Sequence, residues 1–390
     1  MLLDPDLVAF LREEQLEEKI DCEKLVGHSL HSLVSTLFGP DGRRKDGRTE
    51  LLKQLADLGL PLKARQEMAN ALSRASRTGH AGVAETPEEI HARVAWLDNL
   101  ASSSGDEPAW PASTRPFLVF TSAGDACSVT DWTRSIMSNR EWDLLVVYYG
   151  DEDEPACLRV ADHAMRMKGG KFPNLVKAMR RQPTYFSQFE AIFVADDDLG
   201  ISGDDISALF FTRREHDLWL LQPANHAHLG KADFVALRAE HGVALRLVNF
   251  IEVTAPLLRT DKLIDFLREY TPRRHEGDFL VGYGIDAWLC QWLLGVDTTS
   301  GEARHRNKAA VVDSISFVNP MNDEKAQGRE IDRLQAFDER VERFQALCKR
   351  RGLAEGYPFR TFERVPLLAN QCDIMITPGS DTRARSQTIE

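Results

Sequence analysis

FEAIFVADDDLGIS, residues 189–202, is the stretch whose reading decides the fold. Ala191 to Ala195 are small or apolar and read as a short strand buried on both faces. Three acids follow at once, Asp196, Asp197 and Asp198, and Leu199-Gly200-Ile201 turns the chain back to apolar character. A buried strand that ends in adjacent carboxylates sets them at the carboxyl edge of a sheet, where open α/β sheets bind ligands. Three anions this close raise one another's pKa unless a cation sits among them. Their oxygens are hard ligands suited to Mg²⁺ or Mn²⁺. An acidic surface turn is the plain alternative; the apolar strand before the triplet and the small turn after it weigh against that.

Outward from this strand, the chain alternates strands with helices. Phe117–Phe120, Trp142–Tyr149, Leu218–Gln222, Leu245–Val253 and Ala309–Val318 read as strands. Ala156–Lys168, a helix opened by Gly169-Gly170 and reaching Arg181, Asp204–Glu215, Asp261–Tyr270 and Ala287–Leu294 read as helices. This predicts an α/β fold with a Rossmann-like, mainly parallel sheet flanked by helices over residues 117–320. Residues 1–105 read as an all-helical N-terminal domain, a candidate surface for a protein partner, ending in a helix that the capping box Thr86-Pro87-Glu88-Glu89 opens. Ser102 to Pro116 is a linker by composition. Ile331, Leu334, Phe337, Val341, Phe344 and Leu347 make a helical stripe, so residues 321–352 are expected to pack on the sheet domain. Residues 353–390 are read as an extension whose polar end is disordered.

The chain has 390 residues and a formal net charge of -12, which disfavours long contacts with nucleic acid. No apolar run approaches the ~20 residues a membrane span needs. The six cysteines are scattered without a Cys-x-x-Cys pair, as in reduced thiols, and a cytoplasmic location is expected.

Several residues are candidates for chemistry. Thr121-Ser122-Ala123-Gly124-Asp125 reads as a loop after the first strand, with Thr121, Ser122 and Asp125 placed to hold a ligand or to make an ordinary turn. Asp196 and Asp198 form an Asp-x-Asp pair for a metal, with Asp197 between them. Lys171 at a glycine-rich helix start suits a phosphate or simply solvent. Asp286 follows the glycine turn Gly282-Tyr283-Gly284, and spacing alone weighs helix capping and catalysis equally. Glu252 is a carboxylate in an apolar stretch, with a structural hydrogen-bonding role as the simpler reading. His226 and His228 sit in a loop and read as loop residues before metal ligands. For Tyr283 and Trp288, core packing is the simpler reading.

Taken in order, KGGKFPNL (168–175), AIFVADDDLG (191–200), LQPA (221–224), FIEVTAP (250–256), GYGID (282–286) and AVVDS (310–314) resemble domain-of-unknown-function family 707 of plants and bacteria. That family in turn is similar to GT-A type glycosyltransferases. The resemblance covers roughly residues 117–320 and implies a GT-A-like fold. It implies a metal-dependent transferase that moves a sugar from a nucleoside diphosphate sugar to an unknown acceptor. The first loop, Lys171 and Asp197 would hold the donor, Asp196 and Asp198 the Mn²⁺ or Mg²⁺, and Asp286 would be the acceptor base. The family commonly has Asp-Glu-Asp where this chain has three aspartates; the outer acids are kept. It commonly has a histidine after the last strand, where Asn319 stands here and offers a carbonyl oxygen to the metal. A metal-dependent phosphohydrolase and a non-catalytic nucleotide-sugar-binding or interaction protein are the alternatives.

Overall fold

The computed structural model describes residues 87–103, 108–134, 140–273, 278–320 and 330–367, together with Leu55 and Leu60. Within the first helix, side chains are described at 92–100. Apart from Leu55 and Leu60, the part of the expected helical domain before residue 87 and the polar end of the chain lie outside the described residues.

The elements run in the order α1 (Pro87–Ser103), β1 (Phe117–Ala123), α2 (Val129–Arg134), β2 (Trp142–Tyr148), α3 (Ala156–Val160), β3 (His163–Arg166), α4 (Lys171–Arg181), α5 (Pro183–Ser187), β4 (Ala191–Asp196), α6 (Gly203–Glu215), β5 (Leu220–Asn225), β6 (Val243–Val248), β7 (Leu257–Arg259), α7 (Thr260–Tyr270), α8 (Ile285–Leu294), β8 (Ala309–Phe317), α9 (Glu330–Leu334), α10 (Phe337–Arg351) and β9 (Thr361–Pro366). One sheet takes all nine strands in the order β3-β2-β1-β4-β7-β5-β8-β6-β9. The pairings give seven strands one direction and reverse only β6 and β7, so the sheet is mostly parallel.

Alternation along the strands explains the layering. Leu118 and Phe120 of β1 join one core with Phe172, Leu175, Leu263, Phe266, Trp288 and Phe344 from α4, α7, α8 and α10. Phe117 and Val119 join the other core with Val129, Trp132, Ile206, Leu209 and Phe210 from α2 and α6. Every residue of β1 and β2 is buried, as central parallel strands require.

Four sequence expectations change. The helix expected over 156–168 stops at Val160, and the chain returns as edge strand β3. The strand expected over 245–253 ends at Val248, and Leu257–Arg259 forms a separate reversed strand between β4 and β5. Thr361–Pro366, assigned to an extension, pairs antiparallel with β6 at the sheet edge. Helix α1, assigned to the N-terminal module, packs on the sheet domain: Leu100 joins its core, and Arg93 makes a two-point ion pair to Asp265 at 2.7 and 3.0 Å.

Candidate active site

The order β3-β2-β1-β4 grows outward from β1 in both directions, so successive crossovers leave on opposite sides between β1 and β4. That topological switch point opens a crevice at the carboxyl ends of the strands. Register places Ser122 beside Asp196, so the end of β1 and the acidic triplet share one edge. A cavity of about 1380 Å³ opens there. It is larger than the ~300–1,000 Å³ of a single-ligand pocket. Its walls bring together Ser122, Asp125, Lys171, Asp196, Asp197, Asp198, Glu252 and Asp286.

The triplet is organised residue by residue. Asp196 Oδ1 lies 2.6 Å from Lys171 Nζ. The same ammonium donates to the carbonyls of Val194, Val253 and Thr254, so it has more acceptors around it than N–H bonds to give. The reading of Lys171 as a phosphate ligand therefore gives way: it ties the end of β4 to the segment before β7 and sets Asp196. Asp197 turns back under the first loop. Its Oδ2 accepts from Gly124 N at 2.8 Å, and its backbone carbonyl accepts from Ser128 N at 2.7 Å. Burial, opposed by the Gly124 bond and reinforced by the charges of Asp198 and Asp196, pushes its carboxyl up to about 7. These bonds make Asp197 an anchor of the first loop, and it lines the cavity as well. Asp198 lines the cavity.

In the first loop, Thr121 and Ser122 still belong to β1. Thr121 is buried, its hydroxyl has no hydrogen-bond partner, and it is not among the cavity's lining residues, which corrects its reading as a donor contact. Ser122 Oγ accepts from Asn174 Nδ2 at 2.8 Å and keeps a place in the wall. Asp125 is held by the Tyr148 hydroxyl and by Asp151 N at 3.0 Å; the Tyr148 bond holds its carboxyl below the usual range. Gly150 is needed there, because a Cβ would stand 2.1 Å from Asp125 Oδ1.

Gly282 and Gly284, also in the lining, take φ of +73° and +81°. The turn feeds α8, where Asp286 occupies the first turn and its Oδ1 accepts from Ala287 N at 2.9 Å. Asp286 thus makes a helix-start contact and lines the cavity at once. Burial pushes it up to about 6, against its backbone hydrogen bonds. Glu252, 4% exposed, lines the same cavity, where burial pushes it up to about 7. Its one side-chain contact, Asn225 Nδ2 to Oε2, is long at 3.4 Å, and the charges of Asp286, Asp233 and Asp196 raise it further. Tyr283 is 41% exposed at the cavity rim, whereas Trp288 is core.

Asn319 is buried and is not among the lining residues; its carbonyl accepts from Lys231 N at 2.8 Å. That placement does not support its reading as a metal ligand. His226 Nδ1 accepts from the amides of His228 and Leu229, which makes it a loop residue. Among the described residues no group of three or more His, Cys, Asp or Glu side chains is arranged to hold a metal ion. A Mg²⁺-type site needs less, since such ions take one or two carboxylates and complete their shell with substrate phosphates and water. Asp196 and Asp198 on the wall fit that partial donor set.

No helix among the described residues is long and apolar enough to cross a membrane. No protein-family model matches the sequence. No curated protein matches it. Solved structures with a similar course of the chain include S. aureus TarS 1-349, 14% identical with a TM-score of 0.37 over 60% of this chain and 73% of that one. TarS 1-349 in complex with UDP-GlcNAc is 12% identical with a TM-score of 0.35 over 55% and 60%. The mannosyltransferase PcManGT from Pyrobaculum calidifontis in complex with GDP-Man and Mn2+ is 11% identical with a TM-score of 0.36 over 67% and 73%. Likeness of this degree describes a loosely shared layout and says nothing of activity.

Proposed function

We propose that this protein is a glycosyltransferase of GT-A type, transferring a sugar from a nucleoside diphosphate sugar to an acceptor held in the same cavity. The observation that carries it is the presence of two carboxylate elements in the lining of one large cavity: the triplet at the end of β4, at the switch point, and Asp286 after the glycine turn at the start of α8. The volume accommodates two ligands side by side. The donor's base and ribose would lie over Gly124 and Asp125, and its diphosphate would face Asp196 and Asp198. Those two would hold Mn²⁺ or Mg²⁺, which when bound neutralises charge on the departing diphosphate. Lys171 keeps Asp196 in place. Asp286, pushed up to about 6 by burial and lining the same cavity, would take the proton from the attacking hydroxyl. Asp125 disfavours a phosphohydrolase, because its carboxylate is tied to Tyr148 and two backbone amides and is not free as a nucleophile.

The test is calorimetric titration of UDP- and GDP-sugars into the full chain, with Mn²⁺ or with chelator, in the parent and in Asp198→Asn. The expected result is binding that requires Mn²⁺ in the parent and loses that requirement, with at least ~10-fold weaker affinity, in the variant. The same Mn²⁺-dependent binding in both would place the metal elsewhere, and no binding in the parent would overturn the reading.

A further inference from the structure

We propose that Arg340 is an oxyanion-binding residue on the acceptor side of the cavity, so that the acceptor carries a phosphate or carboxylate group. The proposal rests on the transferase reading in taking the wall around Asp286 as the acceptor side. Helix α10 reads in sequence as a packing element, and Phe344 and Leu347 do pack. Arg340, one turn earlier, lines the cavity although it is only 6% exposed. Its Nη2 donates to Asp332 at 2.7 Å, while its Nε is buried with no hydrogen-bond partner. A buried guanidinium N–H is costly to leave unmade, so the internal partners of Arg340 do not use its whole fork. The position is also specific. A Cβ on Gly282 would come within 3.5 Å of Arg340 Nη1, so the guanidinium lies against the turn that leads to Asp286. Asp332 is 51% exposed, which makes it a partner that an incoming anion can replace or share. The planar fork of arginine matches two oxygens of a phosphate or carboxylate. Beside it, Tyr283 and Phe337 stand edge to face at 5.6 Å, 41% and 58% exposed, and offer ring surface to the rest of the acceptor.

Inorganic phosphate and acetate, titrated separately into the metal-free full chain with chelator present, test this without any donor. Lys168, Lys231 and Arg333 also line the cavity, so it is the comparison with the Arg340 and Asp332 variants that assigns any phosphate binding to Arg340. Phosphate, or phosphate and acetate alike, is expected to bind in the parent at millimolar concentration. Asp332→Asn, which removes the competing carboxylate from an exposed position, should tighten it ~5-fold. Arg340→Gln should weaken it at least ~10-fold, with circular dichroism checking the fold. Absence of anion binding in the parent, equal binding in Arg340→Gln, or no gain in Asp332→Asn would each overturn the proposal. Asp332→Asn carries the test alone if Arg340→Gln does not fold. No nucleotide enters the measurement, so failure of the donor reading shows up separately, in the Mn²⁺ titration.

Discussion

Glu252→Gln is expected to stabilise the protein at neutral pH and to leave it nearly unchanged at pH 4. Glu252 ordinarily titrates at 4.5, and burial, with Asp286, Asp233 and Asp196 nearby, lifts it to about 7 in the folded chain. Between those values the unfolded chain gives up the proton while the folded chain keeps it. Folded protein then binds more protons than unfolded, so stability falls as pH rises through that window and levels off above about 7. The gap is worth about 3 kcal/mol at ~1.36 kcal/mol per tenfold change, and solvent reaching the open cavity lowers it to roughly 1–3 kcal/mol. Glutamine keeps the shape, has no charge to bury, and its carbonyl accepts the Asn225 amide in place of the carboxylate. At ~2–4 °C per kcal/mol for a domain of this size, the melting temperature of the variant should rise above the parent's by several degrees between pH 4.5 and 7.5. Scanning calorimetry of both proteins in chelator across that range is the assay. Asp197 and Asp286 give both proteins a similar background slope, so the difference isolates Glu252. Parallel curves at every pH would mean that Glu252 is ionised at its ordinary pKa and that the cavity is wetter than its packing indicates.

Three further outcomes follow from the same geometry. Asp286→Asn should keep donor affinity and melting temperature while losing ~10²–10⁴ in turnover, together with the rise in rate through pH 6; normal turnover would leave Asp286 a helix-start contact. Gly284→Ala puts a Cβ 2.3 Å from the Phe344 ring at a φ of +81°, and denaturant unfolding should show a loss of ~2–4 kcal/mol. Gly242→Ala at φ +76° meets nothing within 4 Å and should lose only ~1 kcal/mol, so equal losses would show the clash to be relieved. A fragment spanning 87–367 should melt cooperatively, whereas one cut to 117–352 loses α1 and β9 and should be less stable or insoluble; equal melting of the two would show that neither element supports the sheet.

The sheet was legible because its central strands are continuous apolar runs, and β1, β2, β4 and β8 fall near where composition puts them. What sequence missed shares a physical cause. His163–Arg166 is an edge strand with one buried side chain, Met165, so it carries no apolar run. Leu257–Arg259 is three residues long, too short for alternation to register. Thr361–Pro366 is a half-exposed edge strand whose composition matches an extension. Helix α1 was assigned to the N-terminal module because nothing local in it reveals that Arg93 meets Asp265, 172 residues away.

The candidate site divides in the same way. Residue types and their strand-end position were enough to pick residues that meet at one cavity, among them Asp125, Lys171, Asp196, Asp197, Asp198 and Asp286. They were not enough to see that Thr121 and Asn319 stay out of the lining, or what Asp197 and Lys171 bond to, because each depends on where a side chain turns. Lys171 shows why. A lysine after two glycines at a helix start suits an anion in solution, yet here its ammonium is consumed by Asp196 and three carbonyls. Three adjacent carboxylates pose one electrostatic problem, and the fold answers it differently at each position described. Asp196 has an internal cation beside it. Asp197 has a backbone N–H and holds its proton up to about pH 7. A divalent ion arriving with a diphosphate therefore meets a wall whose repulsion is already partly relieved, and the ion need not hold the triplet together for the chain to fold. On that argument the protein without metal should be folded with its cavity formed, and metal should add to ligand affinity more than to stability in the absence of ligand.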